Sequence, residues 1–215
     1  MKRIAVFGAG GFGKEVAMLI EQINASAPAW QLIGFFDDGV AKNAIVNGYP
    51  SLGGVAEVNK LEETTGLLLA IGDPGIKMRI HAQISNPKVY YPVLVHPNVL
   101  MGNSQYLDIG EGSIITAGNL LTVNIRLGRH VILNLACTVG HDAILEDYTS
   151  VMPGVNISGG VKIGKGVYIG TGAKLINHTE VGSHTIIGAG AVVVKSLPAH
   201  CTAVGVPARP IKFHA

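Results

Sequence analysis

Charge, aromatic rings and cysteine are all scarce in this chain of 215 residues. Its two cysteines, Cys137 and Cys201, lie far apart in the sequence, which excludes both a disulfide framework and a CxxC metal knuckle. Reduced thiols of this kind fit a cytoplasmic protein, and that location is the expectation. Charged residues make up only 14% of the chain and the net charge is +2 with no basic run, so nucleic acid is excluded as the expected partner. Hydrophobic residues reach 48%, too many for disorder. Long apolar runs are missing too. Mean hydropathy is +0.39, yet Gly, Asn and charges interrupt every run before the roughly 18 to 20 residues of a spanning helix. The opening MKRIAVFGAG has too short an apolar segment before its glycines to serve as a signal-peptide core.

Two organisations are present. Residues 1–90 alternate strand and helix. Arg3–Phe7 reads as a strand, Gly8–Gly13 as a turn, and Lys14–Gln22 as a helix with Val16, Leu19, Ile20 and Ile23 at helical spacing. Leu32–Phe36 is a second strand, ending at Asp37-Asp38-Gly39. Leu67–Ile71 is a third, followed by Gly72 and by a helix that starts at Pro74, with Ile76, Ile80 and Ile84 marking one face. Units of this length predict a parallel, Rossmann-like α/β sheet with ligands beyond the carboxyl ends of its strands. Tyr90–Pro97 reads as a connector.

Residues 91–215 follow another rule. From Ile109, steps of six reach Ile115, Leu121, Leu127, Leu133, Val139, Leu145, Val151, Ile157, Ile163, Ile169, Leu175, Val181, Ile187 and Val193 without a miss. Ile, Leu and Val fill 63 of 215 positions, so chance agreement at a chosen register is on the order of one in a hundred million. Four residues after each aliphatic comes a second, mostly small residue, Ser113 through Ala191, and glycine often follows the aliphatic directly. Such a repeat predicts a triangular prism, one hexapeptide per side and eighteen residues per coil. Aliphatic and small residue share the inward face because strand side chains alternate. About five coils are expected, with the following glycines providing corner angles.

This repeat, with the tail Val204-Gly-Val-Pro-Ala-Arg209, resembles the hexapeptide acyltransferases, which implies an all-β, left-handed parallel β-helix for the second domain. Joined to Gly8-x-Gly10-Gly-x-Gly13 and to Val139-Gly-His-Asp-Ala143, it is similar to the bacterial sialic-acid O-acetyltransferase and nucleotide-amino-sugar N-acetyltransferase family over essentially the whole chain. The resemblance implies an acetyl-CoA-dependent transferase and a homotrimer, with no metal. His141 becomes the candidate general base, because imidazole can accept a proton near neutral pH. Asp142 becomes its candidate partner, provided that a corner lets adjacent side chains meet.

For the sugar nucleotide the resemblance implies Gly10, Gly11 and Phe12, through backbone N–H groups at a helix N-terminus, together with Asp37, Asp38 and Gly72. Phe12 departs from relatives that carry histidine there. For acetyl-CoA it implies Ser150, Gly159, Thr171 and Ala189, with Ser150 standing where relatives can have histidine. N-acetylation of a nucleotide-linked amino sugar is the leading expectation, and O-acetylation of a sialic acid or another sugar hydroxyl is the alternative. A zinc hydratase on the same helix needs three converging histidines, and His130 and His184 are about 14 Å apart by strand spacing. A nucleotide-binding regulatory protein with the helix as scaffold is the remaining alternative. Ile114, Leu120, Ile132, Ile144 and Ile186, each just before an axial aliphatic, are expected to form an outward apolar stripe for trimer contacts.

Overall fold

A computed structural model describes residues 1–102 and 106–214, which divide into two compact units at Pro92/Val93. The first unit carries the expected α/β order: β1 (Lys2–Phe7), α1 (Gly11–Ser26), β2 (Trp30–Phe36), β3 (Ile45–Val46), β4 (Tyr49–Pro50), α2 (Val55–Val58), β5 (Thr65–Leu69), α3 (Pro74–Gln83) and β6 (Val89–Tyr90). Four of these strands form a parallel sheet in the order β2-β1-β5-β6. Val16, Leu19 and Ile20 of α1 are buried, as their spacing requires. The short α3 follows the sequence reading in part, since Ile80 and Ile84 pack against the core. Ile76 is exposed, whereas Pro74 and Lys77 are its buried residues, and Ile84 falls at the C-cap.

The second unit is a parallel β-helix of about six turns. One wall stacks Leu94–Val95, Ile114–Ile115, Ile132–Leu133, Ser150–Val151, Tyr168–Ile169, Ile186–Ile187 and Cys201–Val204, capped by the antiparallel Arg209–Phe213. A second wall stacks Leu100–Met101, Leu120–Leu121, Thr138–Val139, Asn156–Ile157, Lys174–Leu175 and Val192–Val193. The third stacks Leu107–Ile109, Ile125–Leu127, Ile144–Leu145, Lys162–Ile163 and Glu180–Val181. From Ile115 to Val193 every axial aliphatic is buried, and so is every second-set residue from Ser113 to Ala191. At roughly 1.5–3 kcal/mol for each buried aliphatic side chain, this single column dominates the stability of the unit.

The connector at Tyr90–Pro97 is instead structured: Tyr90 ends β6, and Leu94–Val95 pairs with Ile114–Ile115 as part of a first coil. That coil was hidden because Val95 and Met101 lie six apart but Met101 and Ile109 lie eight apart. Two extra residues thus shift the register, and the turns number about six rather than five.

The glycines that follow the aliphatics do not provide the corner angles. Positive φ falls three residues after each aliphatic, at every sixth position from Gly112 to Gly190, including Asn124, His130, Ala136, Asp142, Tyr148, His178 and His184. Gly128, Gly140, Gly164 and Gly170 are needed for space, since a Cβ at each would strike the backbone of the next coil. Nor is there a contiguous apolar stripe. Ile114 and Ile132 are buried, and Leu120, Ile144 and Ile186 sit on three different walls.

Candidate active site

The corner between the second and third walls carries the candidate pair His141 and Asp142. Thr138–Val139 ends the second wall, and Ile144–Leu145 begins the third. Between them Asp142 takes the left-handed conformation (φ 59°), which Asp tolerates better than most residues. The turn overrides strand alternation and brings neighbouring side chains together. His141 Nδ1 lies 2.8 Å from Asp142 Oδ2. A carboxylate only accepts, so Nδ1 carries the hydrogen of the neutral ring and Nε2 keeps its lone pair. Asn124, one coil earlier on the same corner, donates Nδ2–H to Asp142 Oδ1 at 3.0 Å. The hydrogen bonds from His141 and Asn124, in that order, hold the Asp142 carboxyl below its ordinary range. Both His141 and Asp142 have more than half of their side chains exposed (55% and 57%).

Below the dyad lies Gly159. A Cβ there would overlap the His141 ring at Nε2 and Cε1, so glycine is what gives the imidazole its place. The following Gly160 donates its N–H to the His141 carbonyl, and the Gly159 carbonyl accepts from His178 N–H. The His178 ring in turn lies over Gly160. A diglycine step is therefore held between His141 from the coil before it and His178 from the coil after it. Neither Asn124 nor His178 was assigned to this corner from the sequence, although steps of eighteen and thirty-six residues from Asp142 mark them.

The residues expected for acetyl-CoA do not form one cluster. Gly159 shares the His141 corner, whereas Thr171 and Ala189 are exposed, one coil apart, on the corner between the first and second walls. Ser150 is buried on the first wall. The second wall lies between the two corners. It carries a polar ladder in which Asn156 Nδ2 donates to Thr138 Oγ1 at 3.0 Å and Lys174 Nζ donates to Asn156 Oδ1 at 2.6 Å.

In the first unit, Gly10 is the N-cap of α1 and receives no side-chain cap, and nothing crowds Gly10 or Gly11. The first N–H groups of a sixteen-residue helix are thus available to an anion at the end of β1, with Phe12 beside them. Gly13 is required for a different reason, because a Cβ there would collide with the Gly8 carbonyl. Asp37 and Asp38 already bind backbone. Asp37 accepts from Ala9 N–H and Gly39 N–H, both at 2.8 Å, and Asp38 accepts from Val55 N–H at 2.9 Å. Gly72 precedes Asp73, which caps α3 by accepting from Ile76 N–H at 2.8 Å.

The thiols take no part. Cys137 and Cys201 are buried and free, and burial pushes the Cys137 thiol up to about 11. Among the described residues no three His, Cys, Asp or Glu side chains are grouped to hold a metal ion. No helix among them is long and apolar enough to cross a membrane.

Comparison with known proteins accounts for both units. Residues 3–84 match the PglD N-terminal domain, and residues 142–177 and 160–195 match the bacterial transferase hexapeptide model of six repeats. A GDP-perosamine N-acetyltransferase of Escherichia coli O157:H7 is 32% identical over 160 residues, covering 74% of this chain and 71% of that protein. The chain belongs to the PglD-like hexapeptide-repeat acetyltransferases. Its fold follows theirs nearly end to end. The acetyltransferase domain of PglB from Neisseria gonorrhoeae, solved with acetyl coenzyme A, is 34% identical with a TM-score of 0.86, covering 98% of this chain and 99% of that one. PerB from Caulobacter crescentus, solved with CoA and GDP-perosamine, is 28% identical with a TM-score of 0.87, covering 99% and 98%.

Proposed function

We propose that this enzyme transfers the acetyl group of acetyl-CoA to the amino group of a nucleotide-linked amino sugar, with His141 as general base. The observation that carries the reading is the 2.8 Å contact of His141 Nδ1 with Asp142, which leaves Nε2 as the proton acceptor on an exposed corner. The relatives that act on GDP-perosamine, and those solved with acetyl coenzyme A or CoA, support the substrate pair.

The acceptor nitrogen attacks the thioester carbonyl carbon. The N–C bond forms, the C–S bond breaks, and sulfur leaves with the bonding pair. Nε2 of His141 takes the amine proton, and Asp142 stabilises the imidazolium so formed. The α1 N-terminus with Gly10, Gly11 and Phe12 is assigned to the nucleotide phosphates, and the turn at Asp37, Asp38 and Gly72 to the remainder of the nucleotide. Because both aspartates already hold backbone N–H groups, their contribution is to shape that turn. The second wall, from Gly159 to Thr171 and Ala189, is assigned to the pantetheine arm, whose amides match the Thr138–Asn156–Lys174 ladder. Ser150, being buried, is left a structural part.

The active assembly is proposed to be a cytoplasmic homotrimer. Exposed Ile211 and Phe213, two residues apart on the strand Arg209–Phe213, support this. So does the openness of the His141 corner, which would be closed by a neighbouring prism. Acetyl transfer to GDP-, UDP- and dTDP-linked amino sugars, followed by thiol release and by mass spectrometry of the product, tests the reaction. An amide product supports it. An ester product, or transfer only to a CMP-linked sialic acid, replaces it with O-acetylation.

A further inference from the structure

We infer that Asn124 is a positioning residue for the catalytic histidine, acting through Asp142; this rests on the reading of His141 as base. Three successive coils supply the parts. Asn124 and Asp142 occupy equivalent corners eighteen residues apart, both in the left-handed conformation with φ 56° and 59°. That shared conformation stacks one side chain over the other, so that Asn124 Nδ2–H meets Asp142 Oδ1 at 3.0 Å. Asp142 N–H donates to the carbonyl of Val123, the residue before Asn124, fixing the two corners together at the backbone as well. Gly159, from the third coil, leaves room for the ring on its other side.

The consequence is geometric. A carboxylate on an exposed corner can rotate and offer either oxygen to either neighbour. With Oδ1 held by Asn124, Oδ2 is the oxygen presented to His141 Nδ1, and the tautomer with a bare Nε2 is selected. Without the amide, water competes for Asp142 and the ring is free to turn. The charged groups acting on the carboxylate besides His141 include His178, two coils further on.

The test uses the full-length protein. Asn124→Gly keeps the left-handed backbone while deleting the amide, so the coil is retained. Asn124→Asp keeps the shape but sets a carboxylate against Asp142. Nitrogen-15 shifts of the His141 ring should report the Nδ1–H tautomer in the unaltered protein and a mixture in Asn124→Gly. kcat/KM should fall roughly tenfold, less than the 10²–10⁴ associated with losing a base outright. Asn124→Asp should lose more than Asn124→Gly. A ring tautomer unchanged in both variants would overturn the inference, whatever happens to thermal stability. The two readings fail separately. If His141→Ala keeps its activity, the base assignment falls. If His141→Ala is inactive while both Asn124 variants match the unaltered protein, only the positioning role falls.

Discussion

The His141 ring lies directly across Gly159, one coil away, in space that any side chain at 159 would fill. Gly159 does not have a positive φ, so alanine fits its backbone, and only the imidazole has to move. Gly159→Ala should therefore fold normally and still lose kcat/KM by roughly 10²-fold, the scale of a misplaced catalytic group. Gly154→Ala is the contrast. Its φ is 69° with nothing near the added methyl, so it should cost about 1 kcal/mol in stability and leave turnover unchanged. Melting curves and steady-state kinetics on both variants separate the two effects.

The left-handed column also marks a place to gain stability. Ala136 is exposed at φ 55°, where it lacks the polar side chain that eases Asn or Asp into this conformation. Ala136→Gly should raise stability by about 0.5–1 kcal/mol, after allowance for the added freedom of glycine in the unfolded chain. Denaturant titration of the two proteins checks it; a lower midpoint would show that the column is unstrained.

The register itself is tested by a pair two residues apart. Ile163 is axial and 1% exposed, while Lys165 is exposed, with its ammonium over the Tyr148 ring at 5.8 Å. Ile163→Asp places a carboxylate in the apolar axis and should unfold the helix or cost at least about 4 kcal/mol. Lys165→Ala should cost under about 0.5 kcal/mol. Equal shifts in melting temperature would contradict the register.

Acid should weaken one corner in a predictable direction. Burial pushes the Asp147 carboxyl up, but the Arg129 backbone N–H and guanidinium outweigh it and leave the pKa lowered. The guanidinium contacts are 2.9 and 3.1 Å. A carboxyl lowered by folding adds stability above its unfolded value near 4, and that stability is lost as pH falls through the folded value. Arg129 is half exposed, so the gain is held to about 1 kcal/mol or less. Asp147→Asn should lower stability at pH 7 and reduce its decline between about pH 5 and pH 2. An unaltered acid slope would remove Asp147 as a contributor.

Much of this was legible in the sequence because the hexapeptide is a strict period. One aliphatic register located every axial residue from Ile115 to Val193, and the His141-Asp142 pair could be placed on a corner. The first coil was not legible, since two extra residues before Ile109 break the step that revealed the rest. Corner conformation was misassigned because glycine serves two purposes here. At Gly140 it allows a close coil-to-coil approach, and at Gly112 it allows positive φ, a conformation that Asn124 and Asp142 also adopt. Asn124 went unnoticed because its link to Asp142 runs across coils rather than along the chain. In the first unit the strand–helix pattern was legible. The use of Asp37 and Asp38 was not, since carboxylates bonded to backbone and carboxylates bonded to ligand have the same sequence signature.

His141 is proposed to remove the proton from the acceptor amine. The most direct test is turnover of His141→Ala with saturating acetyl-CoA and an accepted nucleotide-linked amino sugar, with folding verified by an unchanged melting temperature. With the general base removed, kcat should fall by at least about 10²-fold. Turnover within a factor of about three of the unaltered enzyme, far below the loss expected for a general base, would contradict it.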